Sequence, residues 1–177
     1  MINYPDLLRD EQFSKEDINN AALIIHPSWK WYNLKAEEIS HVFEEWSNFT
    51  HLQNPIYDEL GNEFRDSEWY YMASRTDNPE IKKMIAFISI GYWLAKKSTQ
   101  LYDLDTDERK RIQYMHKAIN LKFDSNPLLK EKLLATGNKN IIEYTYWKDI
   151  FFWIDQYTLT WKNILGKLLV AYRDNNK

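Results

Sequence analysis

The stretch DLDTDERKRIQYMHKAINLKF, residues 103–123, indicates what kind of fold this chain adopts. Its apolar side chains recur every three or four residues, which is the spacing that places them on one face of an α-helix. Thr106 or Asp107 is suited to cap this helix, and we expect it to end near Asp124. The apolar stripe consists of Ile112, Met115, Ile119 and Phe123.

Three further segments, residues 78–99, 125–140 and 158–174, show signals of helices. Asn78 and Pro79 suit the cap and first turn of the first segment. In the second, Asn126 is predicted to cap a short helix that starts at Pro127 and stops at Gly137. The predicted apolar positions are Ile81, Met84, Ile85, Ile88, Tyr92 and Ala95 in the first segment and Trp161, Ile164, Leu165, Leu168 and Tyr172 in the last.

The scarcity of turn residues favours a helical fold over a sandwich or barrel, because the 177 residues include only four Gly and five Pro. Strand-like pieces are short: KWYNL (30–34), PIYD (55–58) before a turn at ELGN (59–62), and IIEYTYW (141–147). We therefore predict a mainly α (α+β) fold with a few short strands. Residues 1–28 are predicted to form a mostly helical N-terminal extension, and residues 29–177 a single compact domain.

Composition argues against several classes of function. The formal charge is −3 and the pI is near 5.8, so the surface offers no general basic field for duplex nucleic acid. Cysteine is absent, which excludes disulfides, cysteine nucleophiles and thiolate metal sites and fits a reducing compartment such as the cytoplasm. The first residues lack the pattern of a signal peptide, and no apolar run approaches the roughly 20 residues of a membrane span. We expect no membrane association.

Common catalytic patterns are also missing from the sequence. The four histidines, at positions 26, 41, 51 and 116, lack the spacing of metal ligands. There is no glycine-rich phosphate loop and no serine nucleophile elbow. What remains is acidic side chains among aromatic ones, above all in RDSEWYYMASR, residues 65–75. From this pattern alone, Glu68 is either a working carboxylate or the polar edge of a buried aromatic helix.

Three groups of motifs resemble the NADAR (YbiA-like) family. WSNFTHLQNPIYDELGNEFRDSEWYY, residues 46–71, is similar to its opening signature, in which Ser-Asn-Phe precedes a glycine turn and a helix beginning Ser-x-Glu. Residues 115–143 match its Met, Lys-Phe, Asn-Pro-x-Leu, Leu-Leu-x-Thr-Gly and Ile-Glu landmarks, and residues 163–174 match its closing helix. The resemblance covers about residues 30–175 in the family's order.

The resemblance implies a small, mainly helical fold and an N-glycosidase that acts on a ribosylated base. Family members cleave the ribose–nitrogen bond of riboflavin-pathway intermediates or of ADP-ribosylated guanine, and no metal or cofactor is required. The partner would be a small-molecule nucleotide or an ADP-ribosylated substrate. Glu68 would be the principal catalytic carboxylate and Asp149 the second. The residues implied in substrate binding are Ser47, Asn48, Phe49, Trp69, Lys96, Lys122, Trp153 and Asn163.

One family landmark is altered in this chain. The family has Trp-Gly three residues after the aspartate that corresponds to Asp149, followed by a further glycine two positions on, whereas this chain has Phe152 and Trp153 and neither glycine. Bulky side chains in place of glycine would narrow a pocket. Two alternatives to an active enzyme therefore stay open: a catalytically silent protein that binds an ADP-ribose-like nucleotide or a protein partner, and a purely structural interaction module.

Overall fold

Helices dominate the parts of the chain that the structure, a computed structural model, describes: residues 4–25, 51–88, 97–145, 151–152, 154–155 and 160–177. The helices are α1 (Tyr4–Leu7), α2 (Lys15–Asn20), α3 (Ser67–Ala73), α4 (Pro79–Ile88), α5 (Glu108–Ser125), α6 (Pro127–Leu134) and α7 (Ile164–Asn175). The short strands are β1 (Glu11–Gln12), β2 (Ala22–Ile25), β3 (Ile56–Tyr57), β4 (Glu63–Phe64), β5 (Ile141–Thr145), β6 (Ile154–Asp155) and β7 (Thr160–Trp161). The predicted mainly α fold with short strands is confirmed.

The chain forms two compact units. The central unit spans Asn48–Lys130, and the terminal unit combines Met1–Ser47 with Glu131–Lys177. Helices α3, α4 and α5 and the β3–β4 pair belong to the central unit, whereas the remaining strands and α7 belong to the terminal one. Each unit has buried apolar side chains of its own. No helix in the described ranges is long and apolar enough to cross a membrane.

Helix α5 confirms the prediction made from residues 103–123. Asp107 is its N-cap, and the Asp107 side chain accepts a hydrogen bond from the backbone N–H of Lys110 at 2.9 Å. The predicted stripe is buried, with every member at most 1% exposed: Ile112, Met115, Ile119 and Phe123. This face provides the surface against which α3 packs.

The strand predicted at PIYD and the turn predicted at ELGN are also present in the central unit, where they form part of a hairpin. Strands β3 and β4 are antiparallel, with Ile56 opposite Phe64. Asp58 stabilises the turn because its side chain accepts hydrogen bonds from the backbone N–H groups of Leu60 and Asn62, at 3.0 and 2.8 Å. Gly61 has φ 80°, a left-handed conformation that glycine adopts without strain.

Helix α4 starts as predicted but buries less of its apolar face than the spacing suggests. Asn78 caps it by accepting hydrogen bonds from the N–H groups of Glu80 and Ile81, at 3.0 and 3.3 Å. Ile85 is fully buried, whereas Met84 is 47% exposed. The predicted face is therefore correct at Ile85 and wrong at Met84, since the buried stripe is narrower than the apolar one. Tyr92 and Ala95 lie outside the described residues.

Asn126 stands at the predicted boundary before α6, but its side chain does not cap that helix. Its amide instead bonds the segment before β3, accepting from the backbone N–H of Asn54 and donating to the Asn54 carbonyl, both at 3.0 Å. It also donates to the Lys122 carbonyl at the end of α5. The predicted capping role was wrong, because these long-range backbone groups compete for the same side chain. Gly137 follows α6 with φ 62°, as the predicted stop requires.

In the terminal unit, β5 is the middle strand of a parallel sheet ordered β2-β5-β6. This confirms the strand predicted at residues 141–147 as far as Thr145; residues 146–147 and the segment KWYNL lie outside the described residues. Residues 4–25, predicted to be mostly helical, also contain two strands. Strand β2 pairs with β5, and β1 pairs antiparallel with β7.

Helix α7 begins later than its apolar pattern predicts. Its predicted inner positions Ile164, Leu165, Leu168 and Tyr172 are buried. Trp161, assigned to the same helix, instead lies in β7 opposite Glu11. The helix cannot extend back to it because Asn163 has φ 45°, a left-handed conformation that ends helical geometry.

Gly166 in α7 supports a test of how closely this helix approaches β5. A Cβ atom on Gly166 would lie 2.1 Å from the Ile141 carbonyl oxygen, a backbone atom that cannot easily move. We expect Gly166→Ala to lower the free energy of unfolding by about 1–3 kcal/mol, measured by chemical denaturation.

Gly137→Asn is the matched control, because no atom lies within 4 Å of its added Cβ and Asn tolerates a left-handed backbone. It should cost less than about 1 kcal/mol. Equal stabilities for Gly166→Ala and the wild type would contradict the close approach.

Candidate functional site

Glu68 occupies a distinct position at the start of α3. The structure describes every residue of this helix, and all of them are buried except Glu68, which is partly exposed. The aromatic residues that follow Glu68 belong to the core: Trp69, Tyr70 and Tyr71 are each at most 2% exposed. Tyr70 packs edge-on against Phe64 of β4, with ring centroids 5.5 Å apart. Glu68 is therefore the carboxylate that an otherwise buried helix presents to solvent.

Asp66 fixes the first turn of α3. Its backbone is extended, and its side-chain Oδ1 accepts a hydrogen bond from the N–H of Trp69 at 2.9 Å. Such a cap satisfies a backbone donor that has no partner inside the helix. The carboxyl is only 8% exposed, so it performs this role inside the protein.

The environment of Asp66 makes its carboxyl a weaker acid than that of an ordinary aspartate. Burial raises its pKa from the ordinary value of 3.8 to about 7. Three smaller influences oppose the rise: the hydrogen bond from the Trp69 N–H, the positive charge of Lys122, and the nearby backbone N–H of Glu68. A carboxyl with such a pKa changes charge near neutral pH.

Lys122, a predicted substrate-binding residue, lies in the last turn of α5 and is 1% exposed. Its ammonium group is 5.6 Å from the centroid of the Phe123 ring, and its charge acts on Asp66. A buried lysine near a buried carboxyl balances part of the charge that burial disfavours. In this structure Lys122 therefore supports the start of α3 from within the core, and contact with a substrate stays a prediction.

A second charged cluster lies beside Glu68. Tyr71 follows one helical turn after Glu68 in α3, and Arg75 lies in the turn just after that helix. Arg111 of α5 donates from Nε to the Tyr71 hydroxyl oxygen at 3.0 Å. The Arg75 guanidinium is 5.4 Å from the centroid of the Tyr71 ring and donates to the Asp105 carbonyl at 2.8 Å.

The pKa values of this cluster respond to Glu68. Burial raises the pKa of the Tyr71 hydroxyl; the charges of Arg111 and Arg75 oppose that rise, and the charge of Glu68 adds to it. Burial also lowers the pKa of Arg75, while the charge of Glu68 favours its ionised form. Glu68 is therefore electrostatically coupled to a tyrosine on its own helix and to an arginine in the turn that follows it.

The side chain of Asn163, a candidate residue in the terminal unit, forms hydrogen bonds with backbone groups of β5. Its Nδ2 donates to the Ile141 carbonyl at 3.0 Å, and its Oδ1 accepts from the Glu143 N–H at 3.2 Å. The side chain thereby joins the start of α7 to β5, and it is 4% exposed. These bonds indicate a structural role, and substrate binding by Asn163 stays a prediction.

A cleft of about 300 Å³ lies in the terminal unit beside Asn163, Glu11 and Phe13. Lys167 lines it and donates from Nζ to the Arg9 carbonyl at 2.8 Å. Burial lowers the pKa of Lys167, and the charge of Glu11 opposes that effect. These internal bonds attach residues 9–11 to α7.

The remaining predicted site residues lie outside the described residues: Ser47, Asn48, Phe49, Lys96, Asp149 and Trp153. Of the others, the central unit holds Glu68, Trp69 and Lys122. Trp69 is 1% exposed, so its use as a stacking platform stays a prediction. Within the described ranges, no group of three His, Asp or Glu residues is placed to hold a metal ion.

Sequence reasoning missed the importance of Asp66, Tyr71 and Arg75. A signal for Asp66 was available, because an aspartate directly before an apolar helical run is a common N-cap. For Tyr71 the signal was its spacing of three residues from Glu68, which places both on one face of a helix. Nothing in the sequence indicated the burial that raises the pKa of Asp66.

Asp66 makes stability depend on pH in a defined direction. Because its folded-state pKa is raised, its stabilising contribution is complete below about pH 4 and is lost as the pH rises through about 7. Asp66→Asn keeps a cap acceptor and removes the ionisation. Between about pH 4 and 8, the free energy of unfolding of this variant should rise relative to that of the wild type, by at most about 4 kcal/mol.

Denaturant unfolding at several pH values measures this difference. Asp107→Asn is the control, because Asp107 caps α5 in the same way from an exposed position. A difference between Asp66→Asn and the wild type that stays constant with pH would contradict the buried ionisation.

Comparison with known proteins agrees with this architecture. The NADAR domain family model matches residues 31–175. The NMR structure of the E. coli protein YbiA is similar, with a TM-score of 0.62 and 22% sequence identity over 93% of this chain and 91% of that chain. No curated protein sequence matches the chain significantly. The fold is therefore that of YbiA, and because the family model covers well over half of its length, the chain belongs to the NADAR family.

Proposed function

We propose that this protein is an N-glycosidase that hydrolyses the bond between ribose and the nitrogen of a base. The observation that carries the proposal is the position of Glu68, the partly exposed carboxylate of an otherwise buried helix. Membership of the NADAR family supports the same function. The substrate class is a ribosylated base, of the type of ADP-ribosylated guanine or an aminopyrimidine ribotide.

The reaction needs a carboxylate and a water molecule. As the C1′–N bond breaks, its electron pair leaves with the base and positive charge develops on C1′ and the ring oxygen. The carboxylate of Glu68 stabilises that charge and orients a water molecule towards C1′. The water oxygen bonds to C1′, and its proton passes through Glu68 to the leaving nitrogen. Asp149 is proposed as a second carboxylate that assists this transfer.

The cluster beside Glu68 suits an anionic substrate. Arg75 is 5% exposed and bonded to backbone and side-chain oxygens, so its role is to hold Tyr71 and the turn after α3. Arg111 is partly exposed, and its Nε bonds to Tyr71. A guanidinium carries several N–H donors in a planar fork, a geometry well suited to phosphate oxygens. We assign Arg111 to a phosphate group of the substrate.

A second candidate function is nucleotide binding without catalysis. The observation that favours it is the pair Phe151 and Phe152, which stand at and beside the family's Trp position. Both are 5% exposed, and their rings pack edge-on with centroids 4.8 Å apart. Since Trp153 replaces the adjacent glycine, this segment has bulkier side chains than the family pattern. Such side chains would fill the space that the attacking water needs while a nucleotide could still bind. A purely structural module, in contrast, predicts no nucleotide binding.

The activity of Glu68→Gln separates these functions. We expect the wild type to release free base from an ADP-ribosylated guanine oligonucleotide or an aminopyrimidine ribotide, detected by mass spectrometry. Glu68→Gln should lower kcat/KM by about 10²–10⁴-fold, because the amide cannot accept a proton or stabilise positive charge. Glu80→Gln is the matched control, since Glu80 is an exposed acid in the first turn of α4, and it should behave as the wild type.

The alternatives give different results in the same assay. Undiminished release by Glu68→Gln would contradict the role of Glu68. Binding of a panel member without release by the wild type would favour the silent binding protein. An absence of both binding and release would favour the structural module.

A further inference from the structure

Asp66 caps the first turn of the helix that carries the proposed catalytic residue. We propose that Asp66 is a positioning residue for Glu68: its ionised carboxylate fixes the first turn of α3 and thereby places the Glu68 side chain for reaction. This inference rests on the proposed function, and it goes beyond it by assigning a role to a buried acid that does not contact the substrate.

The hydrogen bonds of Asp66 carry the inference. Its carboxylate accepts a hydrogen bond from the N–H of Trp69 at 2.9 Å, and the backbone N–H of Glu68 adds a smaller stabilisation of its charge. Both N–H groups belong to the first turn, so the orientation of the Cα–Cβ bond of Glu68 follows from where Asp66 sits. Since the neighbouring residues Ser67 and Trp69 are at most 1% exposed, this turn has little freedom to adjust.

The charges around Asp66 favour its ionised form, and they offset part of the effect of burial. Lys122 faces it from α5, and its positive charge opposes the effect of burial. Other charged groups on the packed elements have partners of their own: Arg65 with Glu63 of β4 at 2.7 Å, and Lys82 of α4 with Glu59. Lys117 of α5 lies over the Tyr70 ring at 5.9 Å.

Protonation changes which hydrogen bonds the Asp66 side chain can accept. A carboxylate has two oxygens that only accept, whereas a carboxylic acid turns one of them into a donor. The protonated side chain is thus a weaker acceptor for the backbone N–H groups of this turn, and it no longer balances Lys122. Because the pKa of Asp66 is raised to about 7, this change occurs near neutral pH.

The pH dependence of activity and of Glu68 tests the proposal. With an ADP-ribosylated guanine oligonucleotide or an aminopyrimidine ribotide, wild-type kcat should rise through a midpoint near pH 7 with little change in KM. Asp66→Asn imitates the protonated side chain, so its kcat should be several-fold lower at about pH 8 and should lack this midpoint. Asp107→Asn removes the corresponding charge from an exposed cap and should keep the wild-type profile.

An NMR titration without substrate provides a second readout. The backbone amides of Glu68 and Trp69 and the side-chain carboxyl carbon of Glu68 should share a midpoint near pH 7 in the wild type. The shared midpoint should vanish in Asp66→Asn and persist in Asp107→Asn. A structural cap that is insensitive to charge would give no such midpoint in either protein.

The possible failures are distinguishable. Loss of activity in Glu68→Gln together with an unchanged pH profile in Asp66→Asn would overturn the positioning role and leave the N-glycosidase proposal standing. Undiminished activity in Glu68→Gln, or no activity in the wild type, would count against the proposed function instead. In those cases the NMR titration alone decides whether Asp66 controls Glu68, and absence of the shared midpoint overturns it.

Discussion

Helix α3 has seven residues, too few to persist as an isolated helix in water, so its existence depends on burial and on capping. Burial comes from α4, α5 and the β3–β4 hairpin, each of which packs against it. Capping comes from Asp66, whose side chain occupies the N-terminus where backbone N–H groups have no helical partners. Both requirements act on the same turn, and that turn carries Glu68.

The cost of this arrangement is an acid held inside the protein. Burial disfavours the charge of Asp66 by more than its hydrogen bonds and Lys122 restore, which is why its pKa is near 7. Natural sites often retain such locally unfavourable groups where function needs a particular geometry or acidity. Glu68, two residues further along the chain, is partly exposed and so does not carry the same cost of burial. Its own helix offers one open position, and the carboxylate occupies it.

The sequence predicted those features that depend on spacing along the chain. The stripe of α5 and its cap at Asp107 follow from a 3.6-residue period and from a side chain that bonds within its own turn. The hairpin follows from the turn around Gly61. Glu68 was singled out from its aromatic neighbours and from motif order, and its exposure agrees with either a functional or a surface position.

The features that the sequence did not predict depend on contacts with distant parts of the chain. Asn126 does not cap α6, because it bonds Asn54, 72 residues earlier in the chain. Trp161 lies in β7, because β1 supplies a partner strand from near the N-terminus. The acidity of Asp66 depends on how completely other elements cover it, and local sequence contains no measure of that. Each error arose where a local preference met a stronger long-range contact.

We propose that the functional site surrounds the start of α3. The most direct test of this proposal is NMR chemical-shift mapping of the isotopically labelled protein during titration with ADP-ribose and with ribose 5-phosphate. We predict that the largest shifts occur at residues 66–72 and at Arg75 and Arg111, because the ligand meets Glu68 and the guanidinium of Arg111. Shifts confined to the cleft beside Lys167, with none at α3, would contradict the account.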